Sequence, residues 1–346
     1  MRRSVGLSLG VGVLLVVVAV TWVATRDRSS PAGSPRPLSA SGCLQRENVE
    51  VLSGELREQY RDASPSSDRT IDARRARLLS FPSDTLYPLA LGSSEPAQRV
   101  CVIGGMVEGQ QSRTLTWDEM KERHDGAGAR VAGTDWYVVD GLRVSNLEDG
   151  IDPRGTPDRY PKDGDGFVLR NLYFSYIRDD CVENDDIGGG LIVDSLFDGC
   201  NTGISERPTK GSPQYGYPAP KDETLRLKNV LLRLQAMPGP RGHPASERGH
   251  GQLFKWSDIG NRLVIEDSIF LVEAVPNDGT SDFPPGATAK NVTIVWLGPG
   301  SFPGRVPAGV TVTRDRAIWD RARATWLERH GCSSFTTCER ITAPVP

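Results

Sequence analysis

Between residues 179 and 186 the chain reads Asp-Asp-Cys-Val-Glu-Asn-Asp-Asp, which places five carboxylates in eight residues and a cysteine in the same turn. Like charges this close raise one another's pKa values, so a fold keeps them together when they are solvated, bind a cation or do acid/base work. A further carboxylate, Asp149, stands in Leu147-Glu148-Asp149-Gly150-Ile151-Asp152. Two chemistries suit such a group. A protonated carboxyl can give its proton to a leaving oxygen while an ionised partner activates water, which is the division of labour in glycoside hydrolysis. Alternatively the oxygens hold a hard cation such as calcium, for which Glu183 and Asp185 are candidates. For carboxyls opposed across a glycosidic bond, a gap of about 6.5–9.5 Å goes with inversion and one near 5 Å with retention.

The elements that must position these residues are short runs of Val, Ile, Leu, Phe and Tyr closed by Gly, Asp, Asn or Ser, at 49–52, 70–79, 87–91, 100–107, 136–144, 167–177, 191–197, 225–234, 263–272 and 292–297. Abundant Gly (37) and Pro (25) beside scarce Met (4) favour strands and turns over long helices. A small or polar residue precedes an apolar step in Gly141-Leu142, Asn171-Leu172, Ser195-Leu196, Asn229-Val230, Ser268-Ile269 and Asn291-Val292, at intervals of 30, 24, 34, 39 and 23 residues. The shortest intervals suit one coil of a parallel β-helix, and the longer ones the same coil with a turn insertion. Segments 153–166, 205–222, 236–250 and 275–288 are the Pro- and Gly-rich insertions. An antiparallel β-sandwich is the competing architecture. Helical patterns occupy 116–124 and 314–330, and in the second Ile318, Trp319, Ala322, Trp326 and Leu327 share one face, packed on or capping the solenoid.

Anchoring successive coils on Gly150-Ile151, Cys181-Val182 and Gly203-Ile204 brings Asp149 beside Asp179 and Asp180, about one strand spacing away. These residues carry a resemblance. The repeat resembles the pectin lyase-like right-handed parallel β-helix superfamily, and the central third, about residues 140–235, is similar to the polygalacturonase family of glycoside hydrolases. That family's pattern runs Asn-Thr-Asp-Gly, Asp-Asp-Cys, Gly-His-Gly, Arg-Ile-Lys; this chain has Leu147-Glu148-Asp149-Gly150 and then Asp179-Asp180-Cys181. The resemblance implies Asp179 as general acid, with Asp149 and Asp180 holding and activating water. It also implies a bridge from Cys181 to Cys200 in the next coil. Thr202 stands where the family has histidine, and Arg233-Leu234-Gln235 is the nearest counterpart of Arg-Ile-Lys. Arg178, Thr202, Arg233 and Lys255 are therefore the expected substrate-binding residues, Lys255 supplying positive charge. A lyase variant would use calcium with Arg178, Arg207 or Lys255 as base.

The hydrolase reading requires no cofactor; a non-catalytic glycan-binding or structural β-helix protein with a calcium-binding acidic turn is the alternative. A net charge of -3 with mixed signs gives no basic stripe for nucleic acid. The partner expected is a polysaccharide or glycan, and the chain is expected to be a monomer. Residues 1–25 carry Arg2-Arg3 and then an apolar run long enough to cross a bilayer. They predict a single-pass signal-anchor with the remainder outside the cell membrane, against a cleaved signal peptide and secretion. Residues 26–42 form a Pro/Ser/Gly linker, 43–312 the β-helix domain, and 313–346 a helix and disulfide-closed tail. Six cysteines in an exported chain suit three disulfides: Cys332 with Cys338, Cys181 with Cys200, and Cys43 with Cys101. The scattered histidines disfavour a transition-metal site, and His250 reads as a solvated loop residue. Trp256 and Trp296 read as core, and Asn291-Val292-Thr293 matches an N-glycosylation acceptor.

Overall fold

The computed structural model describes residues 39–81, 87–92, 97–124, 126–134, 137–154, 166–207, 223–277 and 279–338. The proposed anchor and most of the insertions at 153–166 and 205–222 lie outside these residues. No helix among the described residues is long and apolar enough to cross a membrane.

The chain winds into a parallel β-helix. In sheet A one ladder runs Ile71, Val102, Val139, Leu169, Ile192, Leu227, Ile265, Ala289. Sheet B stacks Leu78, Val107, Val144, Phe174, Phe197, Leu232, Phe270, Ile294 and Val312. Sheet C stacks Leu89, Ala129, Ile151, Val182, Ile204 and Phe254. Most of these side chains form one continuous buried core, within which the rings of Phe174 and Phe197 stack with centroids 5.1 Å apart. Every named strand pair is parallel except the small hairpin joining Met237–Pro238 to Arg248–Gly249, which sets aside the β-sandwich alternative.

Six successive coils turn from sheet A to sheet B through one left-handed residue. Gly141, Asn171, Asp194, Asn229, Asp267 and Asn291 all have φ between 48° and 79°. Asparagine, aspartate and glycine tolerate that region best, which is why the repeat is visible in the sequence. Two coils were offset by one residue in the sequence alignment: the corner residues are Asp194 and Asp267, not Ser195 and Ser268. Those serines instead accept hydrogen bonds from the amides of Leu172 and Val230 in the preceding coils, at 3.2 and 3.1 Å.

Three helices among the described residues decorate the solenoid. α1 (Ala40–Leu44), absent from the sequence expectations, carries Cys43 onto a small cluster with Cys101, Ile103, Val138 and Val168. α2 (Trp117–Arg123) begins with a capping box between Thr116 and Glu119. α3 (Arg316–Arg329) lies along the outer face of sheet B rather than over an open end, burying Trp319 and Trp326 against Tyr173, Leu196, Leu231, Leu271 and Val295. All three expected disulfides are present: Cys43–Cys101, Cys181–Cys200 and Cys332–Cys338. They fit an extracytoplasmic or secreted protein.

The corner column gives a direct test. Replacing Asn229 (φ 54°) by Val is expected to destabilise the protein by about 1–2 kcal/mol, whereas Asn229→Gly stays close to the parent, as read from urea unfolding midpoints. Equal midpoints for the two variants would contradict the assigned corner.

Candidate acid/base site on sheet C

The strand Tyr173–Glu183 starts in sheet B and ends in sheet C, and its pairing with the next coil slips between Ile177 and Asp180. Left-handed backbone recurs where neighbouring coils pass the same corner, at Asn146 (φ 57°), Tyr176 (φ 60°) and Gly199 (φ 110°). A slip of this kind bends a strand and re-aims its side chains. Here it brings Asp179 and Asp180 over Asp149, the first residue of the strand Asp149–Arg154. The Asp179 amide donates to Glu148 O at 2.7 Å, and the Asp180 amide donates to Asp149 Oδ1 at 2.8 Å. One carboxylate oxygen from each of Asp149, Asp179 and Asp180 lies within 4.8 Å of the others. They converge on one point instead of facing each other across a gap, so the separation rule for opposed carboxyls does not apply to them.

Asp149 and Asp180 are buried, at 4% and 1% exposure, while Asp179 keeps an open edge. Burial, reinforced by the charges of Glu183, Glu148, Asp179 and Asp180, holds the Asp149 carboxyl well above the usual carboxylate range. Burial also raises Asp180, to about 7, with Lys255 opposing the shift and Asp179 and Asp185 adding to it. Lys255 reaches Asp180 Oδ2 from a strand two coils further on. Its own burial would lower its pKa, but Asp180, Asp179 and Asp185 outweigh that effect and hold the ammonium above its ordinary value.

A second tier of charge adjoins the three aspartates. Burial, with Asp152, Asp180 and Asp185, raises Glu183 well above its ordinary value against the pull of Arg154. Arg154 and Arg130 both contact Asp152 Oδ2, at 2.8 and 2.9 Å. Asp185 accepts from Ser205 Oγ at 2.5 Å and the Arg207 amide at 2.9 Å. Glu183 and Asp185 are therefore neighbours of the three-aspartate group, which is the group of carboxylates among the described residues whose oxygens lie close enough for one cation.

One side of the site is walled by the turn carrying α2 and by the hairpin around 237–249. The Trp117 amide donates to Gly239 O at 2.6 Å, and Lys121 and Arg241 both lie over the Trp117 ring. Lys121 also pairs with Glu148 at 2.6 Å, next to Asp149 in the chain. Sequence reasoning missed this pair, whose one available clue was the capping box that fixes where α2 starts.

The remaining expected site residues fall in different places. Thr202 is paired in register with Asp180 and sits beneath it. Arg178 is 1% exposed and donates to Leu115 O and Pro238 O at 3.0 and 2.8 Å. Through these two carbonyls it fastens the wall to the solenoid, and its burial leaves little surface for the expected substrate contact. Arg233 lies on the flank under α3, held by Asp198 and Glu273 at 3.3 and 2.7 Å, away from the carboxylates. His250 is fully buried, not solvated: Nδ1 lies 2.8 Å from Gly251 O and Nε2 accepts from the Ala274 amide at 2.9 Å. Trp256 and Trp296 pack on the core as expected.

No family model, curated protein or solved structure matches this chain. The assignment to a parallel β-helix therefore rests on the register of the coils, and the site must be judged by its own geometry.

The buried carboxyls set a direction for pH dependence. Asp180, Asp186 and Glu206 are pushed up to about 7, 6 and 8, each chiefly by burial. A carboxyl whose folded pKa is raised contributes stability that is fully present below its unfolded value, near 4, and is lost as pH rises through the folded value. The melting temperature is therefore expected to fall as pH rises from about 5 to 8, with the decline reduced in Asp180→Asn. A melting temperature that climbs over this window would contradict the burial-driven shifts.

Proposed function

We propose that the protein is an extracytoplasmic carbohydrate-active hydrolase that cuts a polysaccharide lying over Asp149, Asp179 and Asp180. The observation that carries this reading is the convergence of three carboxylates within 4.8 Å, two buried and one with an open edge. Such a group retains a proton near neutral pH, because Asp149 is held well above the carboxylate range and Asp180 titrates at about 7.

In this scheme the proton that Asp149 retains is handed on through Asp179, the member with accessible surface, to the glycosidic oxygen as the bond from the anomeric carbon to that oxygen breaks. Water adds its oxygen to the anomeric carbon, and its released proton goes to the ionised Asp180, which restores the cluster's proton. Lys255 holds Asp180 in place and favours its ionised form until that proton arrives. Because Lys255 is engaged by Asp180, its role is to tune the carboxylate from beneath, and substrate contacts come from elsewhere. Parallel β-helix architecture and the aspartate cluster are both compatible with carbohydrate-active chemistry.

The second reading is a structural or glycan-binding module with a calcium-binding turn, favoured by the same convergence of oxygens. Lys255 weighs against it, since its ammonium already neutralises one of the three carboxylates.

A polysaccharide panel scored for both reducing-end release and unsaturated-product absorbance separates hydrolysis from elimination. The expected result is reducing ends without unsaturated product, lost by about 10²–10⁴-fold in Asp179→Asn while the melting temperature holds. Loss of melting temperature in that variant, together with a calcium-dependent rise in the parent, would transfer the site to the structural reading.

A further inference from the structure

Asn201 lies in the coil after Asp179 and Asp180, between Cys200, which pairs with Ile177, and Thr202, which pairs with Asp180. It therefore sits about one strand spacing from the slip that carries the two aspartates. Its side chain is 5% exposed, and its Nδ2 has no partner among the described residues. Buried donors without a partner are rare, because desolvating one uncompensated costs about 1–3 kcal/mol. Across the slip, Asp180 Oδ1 is likewise buried and unpartnered, the other oxygen of that carboxylate being taken by Lys255.

Two neighbours border the amide. Thr202 Oγ1 lies 3.5 Å from Asn201 Oδ1, leaving Nδ2 as the end turned away from Thr202. The next coil contributes Gly251, whose amide donates to Asn201 O at 2.8 Å. A Cβ at Gly251 would come within 2.5 Å of Thr202 Oγ1 and 3.4 Å of Asn201 Oδ1. The absence of a side chain there is what lets Thr202 and Asn201 keep this arrangement. A donor and an acceptor, both buried and both unmatched among the described residues, on adjacent coils beside an acid/base cluster are the kind of partners an internal water takes, of which it needs two or more.

We propose that Asn201 is a positioning residue that holds the hydrolytic water against the Asp180 carboxylate. The inference rests on the hydrolase reading for the water's chemical role, but not for its presence. Asn201 Nδ2 donates to the water oxygen, the water donates to Asp180 Oδ1, and a lone pair is left to meet the anomeric carbon. Thr202 and Gly251 act behind Asn201 by setting its rotamer.

The test has two arms. A crystal structure of the parent at a resolution that orders internal solvent should show a water within about 3.2 Å of both Asn201 Nδ2 and an Asp180 oxygen; Asn201→Leu should lack it. A dry seat, or Asn201 Nδ2 donating directly to a protein oxygen, overturns the proposal whether or not the protein is an enzyme. In the second arm, the polysaccharide that the panel identifies is turned over by the parent, Asn201→Leu and the isosteric Asn201→Asp. Both variants should lose about 100-fold in kcat with KM within twofold, and Gly251→Ala should lose part of kcat through the displaced Thr202. A rise in KM at unchanged kcat would make Asn201 a substrate contact and overturn the water assignment. Should no polysaccharide be cut, the hydrolase reading fails while the crystallographic arm still decides the water.

Discussion

Taking carboxylates out of water while pressing them together is the costly act around which this molecule is built. Each of Asp149 and Asp180 would by itself prefer solvent, and each makes the other's ionisation harder. Three features offset that cost. The Asp180 amide donates to Asp149, Lys255 crosses two coils to reach Asp180, and Lys121 reaches Glu148 from the wall outside. The balance is incomplete, since Asp149 and Glu183 remain well above the carboxylate range. Stability that is incompletely recovered at one place in a fold is what the proposed hydrolase reading requires of its site, and the solenoid's long apolar ladders supply the reserve that tolerates it.

A parallel β-helix suits this task because its coils stack in fixed register. Residues far apart in sequence become neighbours at one strand spacing, and a slip in one strand re-aims a pair of side chains without disturbing the ladders on either side. The Cys181–Cys200 disulfide ties the coil bearing Asp180 to the coil bearing Asn201, one residue from each. Long turn insertions then wall the groove without entering the core: the α2 turn and the 237–249 hairpin meet over Arg178 although they are far apart in the chain.

Much of this was legible in the sequence, for physical reasons. The coil period showed because left-handed corners select Asn, Asp and Gly, and the alignment on Ile151, Val182 and Ile204 held because those residues occupy one inward ladder. The offset at Ser195 and Ser268 arose because serine resembles a corner residue by type while serving as an acceptor for the adjoining coil. Strands Ala127–Thr134, Phe254–Trp256 and Val310–Thr313 escaped notice because small residues, shortness or polar alternation hide their apolar face. Asp149, Asp179 and Asp180 could be assembled from register alone. The burial of Arg178 and His250 could not, because their covers come from loops whose return path has no local sequence signal.

Asp180, a carboxyl of raised pKa held by burial and restrained by Lys255, is the centre of the site. Its ionisation can be followed by site-resolved carboxyl carbon NMR through a pH titration of the intact protein and of Lys255→Met. A midpoint near 7 in the parent, moved upward when the lysine charge is removed, is the result predicted. Titration of Asp180 at the ordinary carboxylate value of about 4 in both proteins would contradict it.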